Sequence, residues 1–163
     1  MTDIQIGGAK RARRGYSLDE VAIAPSRRTR DPEAVSTAWT IDAYRFDTPL
    51  IAAPMDSVVS PQSVEILARL GVLAVLNLEG LWGRYEDPEP LLREIVGLDA
   101  GDVTPRMQAI YAARPVDNGL VTARIAELKA AGVTVAVSTS PQSAARLAPL
   151  AAQAGADIVV IRG

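Results

Sequence analysis

Apolar residues in this chain follow two alternating patterns: short unbroken runs, and longer stretches in which they recur every three or four positions. The run over residues 49–55, Pro-Leu-Ile-Ala-Ala-Pro-Met, shows no polar alternation, which predicts a strand buried on both faces of a parallel sheet. Ser60-Pro61 then supply an N-cap and a first-turn proline, and Val64, Leu67 and Ala68 recur at helical spacing until Gly71. The unit repeats. Residues 72–76 predict a second buried strand, and Asp87-Pro88-Glu89-Pro90 opens a helix over 91–96 that ends near Gly97. Further helix is predicted from Thr104-Pro105 to Tyr111, and from Asn118 to Ala131 with Gly132 closing it. Residues 133–137 predict a third strand, Ser140-Pro141 opens a helix to about Ala154, and residues 156–161 predict a fourth strand.

Ahead of these units, residues 1–15 form a polar, Gly-rich arm without period, residues 17–25 an extended segment, and residues 38–41 with 44–46 a hairpin. The phrase Ser-Pro-Gln-Ser opens helices at both 60–63 and 140–143, and two helix ends share Ala-Gly, at 131–132 and 154–155. Alternating strands and helices predict a parallel α/β architecture with right-handed crossovers. Four βα strands amount to half of a TIM (β/α)8 barrel, a fold that commonly takes ~250 residues. The chain stops at Arg162-Gly163, directly after a strand. The expectation is therefore an arm over 1–15 and the N-terminal half of a barrel over 16–163, its two open sheet edges paired by the C-terminal half.

With 48% hydrophobic and 22% charged residues, the chain can fill a globular core. Its net charge is only −2, which argues against nucleic acid as a partner. The basic excess is local: Lys10, Arg11, Arg13, Arg14, Arg27, Arg28 and Arg30 read as a solvated arm or subunit contact in preference to a phosphate site. There is no Cys and no His. That excludes, within these residues, a thiol nucleophile, a His base and any metal site of Cys/His type. No apolar run approaches the ~18 to 20 residues that cross a bilayer, so a cytoplasmic protein without membrane contact is expected.

The segment Ile51-Ala52-Ala53-Pro54-Met55-Asp56-Ser57-Val58 resembles the first-strand signature of the IMP dehydrogenase and GMP reductase family. Tyr16-Ser17-Leu18-Asp19-Glu20-Val21 is similar to that family's opening phrase, Leu70-Gly71 with the strand after it to the second strand, and residues 154–161 to the fourth. Leu76-Asn77-Leu78-Glu79-Gly80, with Arg84-Tyr85-Glu86-Asp87-Pro88 downstream, resembles the IMP-dehydrogenase-related branch of actinobacteria and cyanobacteria. The resemblance implies a barrel that oxidises the purine C2 of IMP to XMP with NAD through a covalent thioimidate, in a homotetramer or octamer. It places the catalytic cysteine, the mobile flap and a monovalent cation (K+) site beyond Gly163, so no catalytic residue is assigned within the chain.

In that family the Met of the signature lies against the purine, and the residue two before it faces the phosphate. Met55 and, more weakly, Ala53 are the implied substrate contacts; spacing alone leaves Met55 as gap-filling core. Ala53 stands where some members have Ser, which removes a hydroxyl contact to phosphate. Asp56 is either a carboxylate near the ligand or a cap for the helix after Ser60. At the end of the fourth strand, where the family places Asp-Ser to hold the nicotinamide ribose, this chain has Arg162-Gly163, the implied cofactor-binding positions. A cation cannot accept those ribose hydrogen bonds. Asn77-Leu78-Glu79 replaces a His-rich phrase, and the interval from Gly80 to Asn118 is too short for regulatory CBS modules.

Gly7-Gly8 and Gly80 to Gly83 match no phosphate-binding loop and read as turns. Glu86, Asp87 and Glu89 are explained by a helix N-terminus, and Trp82 and Tyr85 either cover a ligand or pack. Beside IMP oxidation stand two alternatives: GMP reductase or another purine-nucleotide enzyme with a rebuilt cofactor site, and a noncatalytic nucleotide-binding or assembly barrel.

Overall fold

The computed structural model describes residues 4–6, 8, 10–24 and 31–162. They fall into two compact units that divide after Ser36. In the first, β1 (Ile4–Ile6) pairs antiparallel with β2 (Lys10–Ala12), so the arm expected to lack regular structure carries a hairpin. Short 3-10 turns follow at Leu18–Glu20 and Pro32–Ala34. Arg14 donates to Glu20 at 2.9 Å and its guanidinium lies 5.0 Å from the Tyr16 ring centre. Arg27, Arg28 and Arg30 lie outside the described residues.

The second unit opens with the expected hairpin: β3 (Trp39–Ile41) and β4 (Tyr44–Phe46) are antiparallel, joined through Asp42 at a φ of 49°. Then come β5 (Ile51–Ala52), α1 (Pro61–Arg69), β6 (Leu73–Asn77), α2 (Glu89–Val96), α3 (Ala100–Ala113), α4 (Asn118–Ala130), β7 (Ala136–Thr139), α5 (Pro141–Gln153) and β8 (Ile158–Ile161). The four later strands form one parallel sheet in the order β5-β6-β7-β8. This is the α/β class that alternation predicts.

Strand alternation sends successive side chains to opposite faces. On one face Ala74, Leu76, Val135 and Val137 join Val64 of α1, Val121, Ile125 and Leu128 of α4, and Leu147 and Ala151 of α5. On the other, Leu73, Val75 and Ala136 meet Phe46, with Trp39, Tyr44, Ile158 and Val160 packed around them. The β3–β4 hairpin thus covers the sheet face that the helices leave. Three helix-to-strand turns place Gly71, Gly132 and Gly155 at φ of 72°, 73° and 97°, a region costly for any residue with a Cβ.

Three expectations need correction. β5 is two residues long and lies at an edge; Leu50 and Ile51 are more than half exposed rather than buried on both faces. α3 begins at Ala100, ahead of Thr104-Pro105, because Pro105 sits near the N-terminal end, where its missing N–H removes a single intrahelical bond. The third strand runs over Ala136–Thr139 rather than 133–137: Ser138 and Thr139 are polar but fully buried, and they continue the pairing with β6 and β8.

Candidate functional site

The C-terminal ends of β5, β6 and β8 open onto a cavity of about 370 Å³, roofed by α2 and α3. Met55 and Arg162 both line it, with Asp56, Asn77 and Tyr111. Ala53 is exposed beside the cavity and does not line it, and Gly163 lies outside the described residues. Met55 is half exposed rather than core. A somewhat larger hollow, about 420 Å³, lies at the opposite ends of the strands near Arg45, Glu65 and Arg69. It brings together none of the predicted site residues.

Asp56 lines the cavity as a carboxylate and does not cap α1, whose N-cap is Ser60. Its Oδ2 accepts from the Leu81 N–H at 3.0 Å and from the Tyr111 hydroxyl at 2.5 Å, while Oδ1 is buried without a partner. It ties the loop after β5 to the loop after β6 and to α3. A Cβ on Gly80 would stand 2.1 Å from Asp56 Oδ1, so this approach requires glycine. Burial first, and then the bond to Asp56, push the Tyr111 phenol well above its ordinary value. Arg84 adds a second clamp on α3: it donates to the carbonyls of Glu79, Tyr111 and Arg114, and its guanidinium lies 5.0 Å from the Tyr111 ring centre.

Arg162 follows Ile158 and Val160 on alternating positions of β8, and its N–H donates to the Thr139 carbonyl at 2.9 Å, extending the ladder. Its side chain reaches back to the Pro54 carbonyl at 3.1 Å and to Asn77 Oδ1 at 3.4 Å. Asn77, the last residue of β6, also takes the Glu79 N–H at 3.1 Å.

Glu79 turns instead to α5. Its carboxylate accepts from the Ser140 N–H, from Ser140 Oγ at 3.0 Å, from Ser143 Oγ at 2.6 Å and from Thr139 Oγ1 at 3.2 Å. Burial works to raise its pKa, but the hydrogen bonds from Ser143, Ser140 and Thr139 hold it below the ordinary glutamate value. The helix N-terminus favours the same ionised form. Sequence reading missed Glu79, Tyr111, Ser138 and Thr139. Their partners lie far along the chain, and only the second Ser-Pro-Gln-Ser phrase hinted at a special helix start.

The aromatic residues of the intervening loop pack rather than cover a ligand. Trp82 is buried in the helix-side core with the Arg124 guanidinium 5.3 Å from its ring centre. Tyr85 donates to the Ile110 carbonyl at 2.7 Å. Asp87 accepts from the Glu89 N–H at 3.2 Å, as a helix start needs. Among the described residues no cluster of acidic side chains has the spacing of a metal site, and no helix is long and apolar enough to cross a membrane.

A parallel α/β sheet with a ligand-sized cavity at the C-terminal ends of its strands is the arrangement in which such folds bind small molecules. No protein-family model matches the chain. It is 46% identical over 165 residues to a protein of Mycolicibacterium smegmatis named an uncharacterized oxidoreductase, and 42% identical to one of the same name from Mycobacterium leprae. Each match covers 98% of this chain and 44% of the relative, so the chain spans less than half the length of the relatives it matches. The crystal structure of an IMP dehydrogenase/GMP reductase-like protein from Corynebacterium glutamicum matches at 40% identity and a TM-score of 0.81, over 99% of this chain and 44% of that one. The inosine-5'-monophosphate dehydrogenase of Methanocaldococcus jannaschii matches at 27% identity over 66 residues, 40% of this chain and 13% of that protein. Over the length it shares with these proteins, the chain is similar in sequence and fold to an IMP dehydrogenase/GMP reductase-like protein.

Proposed function

We propose that the protein carrying this chain is a purine-nucleotide oxidoreductase that oxidises IMP to XMP, as a cytoplasmic homo-oligomer. The observation that carries the reading is the meeting of Met55, from the family's signature segment, with Arg162 in one cavity at the C-terminal strand ends. On this reading the four parallel strands are half of a (β/α)8 barrel. The other half pairs with β5 and β8 and supplies the cysteine nucleophile, the flap and the monovalent cation site. This chain supplies one wall of the substrate site: Met55 packs on the purine, and Asp56 holds its loop through Leu81 and Tyr111. By itself the chain is inactive.

The hydride acceptor of the family's reaction is NAD. The residues present do not fit the family's ribose contact, because the end of β8 offers a guanidinium with no acceptor atom where a carboxylate is required. This favours, as a second reading, a related purine-nucleotide reaction such as GMP reduction, with a rebuilt cofactor site.

Two measurements on the complete protein test these readings. Calorimetric titration with IMP should show that Met55→Ala weakens binding by about 1 to 3 kcal/mol, the worth of one side chain buried against a ring. Unchanged affinity would leave Met55 without a substrate role. Following product by chromatography, IMP with NAD should yield XMP; conversion of GMP to IMP and ammonia with a reduced nicotinamide as hydride donor, and no XMP from IMP, would establish the second reading in its place.

A further inference from the structure

Around the cavity, several polar atoms are already held by the scaffold. Asp56 Oδ2 receives Leu81 and Tyr111, the Tyr111 proton goes to Asp56, and Asn77 Oδ1 receives Glu79 and Arg162. Arg162 differs. A guanidinium carries five N–H donors; here one points to the Pro54 carbonyl and one to Asn77 Oδ1, both neutral acceptors. Among the described residues no carboxylate forms an ion pair with it. The wall facing it is apolar, formed by Met55, Leu92, Ile95, Val103 and Met107.

We propose that this cavity binds a planar apolar ligand through an anionic group, with the Arg162 guanidinium on the anion and the ring between Met55 and the α2–α3 roof. The proposal rests on the reading of these strand ends as the ligand site, and names the group that site selects. Anionic oxygens suit the planar fork of a guanidinium, and the apolar wall strengthens the pairing by excluding water. A ribose diol does not suit it. Two hydroxyls need acceptors; Arg162 has none, and of the one carboxylate lining the cavity, Asp56, Oδ2 is held by Leu81 and Tyr111 and Oδ1 is buried out of reach.

Two of the chain's three methionines, Met55 and Met107, line this cavity, which makes methyl resonances of [methyl-13C]methionine a direct reporter. The complete protein, with these signals assigned through Met55→Leu and Met107→Leu, is titrated with 1-naphthoate, with its neutral isostere 1-naphthamide, and with IMP. The expected result is that naphthoate shifts both methyls saturably and binds about tenfold more tightly than naphthamide, and that Arg162→Gln abolishes this preference. Where Arg162→Gln fails to fold, Arg162→Met, whose side chain suits the apolar wall, carries the same comparison. Equal binding of the two naphthyl probes to the unaltered protein overturns the proposal, as does a folded neutral variant that keeps the preference for the anion. Naphthoate preference without any IMP response at Met55 upholds the anion site and removes IMP from it; an IMP response without naphthoate preference upholds the nucleotide reading and sinks the anion site.

Discussion

At the N-terminal ends of β7 and β8, Asp157 receives the Lys129 ammonium at 2.9 and 3.1 Å, the Val135 N–H at 2.8 Å and the Tyr44 hydroxyl at 3.0 Å. At the opposite end of the same strands, Arg162 touches two neutral oxygens and borders an open cavity. Both are charged side chains next to the same sheet, yet only the first is neutralised by an opposite charge. Its partners join the covering hairpin, α4 and β8, so the charge organises the fold. Burial works to raise the Asp157 pKa, but Val135, Lys129 and Tyr44 outweigh it and hold the carboxylate below its ordinary value. The comparison separates two kinds of charge: one saturated by groups from several elements, and one that keeps unused donor capacity facing a cavity.

The largest expected effect falls at the saturated end. Asp157→Ala removes a charge-assisted hub and leaves the Val135 N–H unpaired, which should cost about 3 kcal/mol in urea unfolding of the complete protein. A loss within experimental error would erase the contrast between the two ends. Next comes Gly80→Ala, whose new Cβ has to displace Asp56 or the loop; a stability loss of about 1 to 3 kcal/mol is expected, with weaker nucleotide binding in the same variant. Normal stability and affinity would show that the loop yields freely and that Asp56 does not fix the cavity.

The smallest effect, about 1 kcal/mol, is expected for Glu79→Gln, which keeps the shape but removes a charge at the start of α5. It also carries a pH signature. The folded-state pKa of Glu79 lies below its unfolded value near ~4.3, so its stabilisation is complete above that value and is lost as pH falls through the folded pKa. Unfolding measured from neutral to acid pH should therefore show the variant converging on the unaltered protein as pH falls below the ordinary glutamate value. A constant offset down to the lowest pH would assign Glu79 a role that does not depend on its charge.

Much of the fold was legible because it is local. Ser60 and Ser63 form a reciprocal cap at 3.1 and 2.8 Å within one helical turn, and Gly132 and Gly155 end helices by backbone geometry alone. The same Ser-Pro-Gln-Ser phrase at 140–143 behaves differently, since the Ser143 hydroxyl donates to Glu79, a residue far back in the chain. Nothing near residue 143 announces that partner. The cavity was half legible for a similar reason. Met55 and Arg162 stand at strand ends that the pattern of runs locates, whereas Tyr111 enters from a helix whose start was displaced by Pro105. Ser138 and Thr139 were left outside their strand because polar residues rarely sit fully buried unless neighbouring strands enclose them. The exposure of Leu50 and Ile51 follows from strand order, which runs of apolar residues do not encode.

The two tryptophans give each end of the sheet its own optical label. Trp39 sits in the hairpin, its ring centre 4.9 Å from Phe46 and its indole N–H donating to the Thr48 carbonyl at 2.8 Å. Trp82 follows the opposite strand ends, buried, with an indole N–H that has no partner and a guanidinium beside its ring. An indole screened from water and without a hydrogen-bond acceptor emits at shorter wavelength than one bonded to a carbonyl. Replacing either ring by phenylalanine should therefore isolate one emission band of this chain, so that loosening of the helix-side core and loosening of the hairpin can be followed by separate colours in a single cuvette.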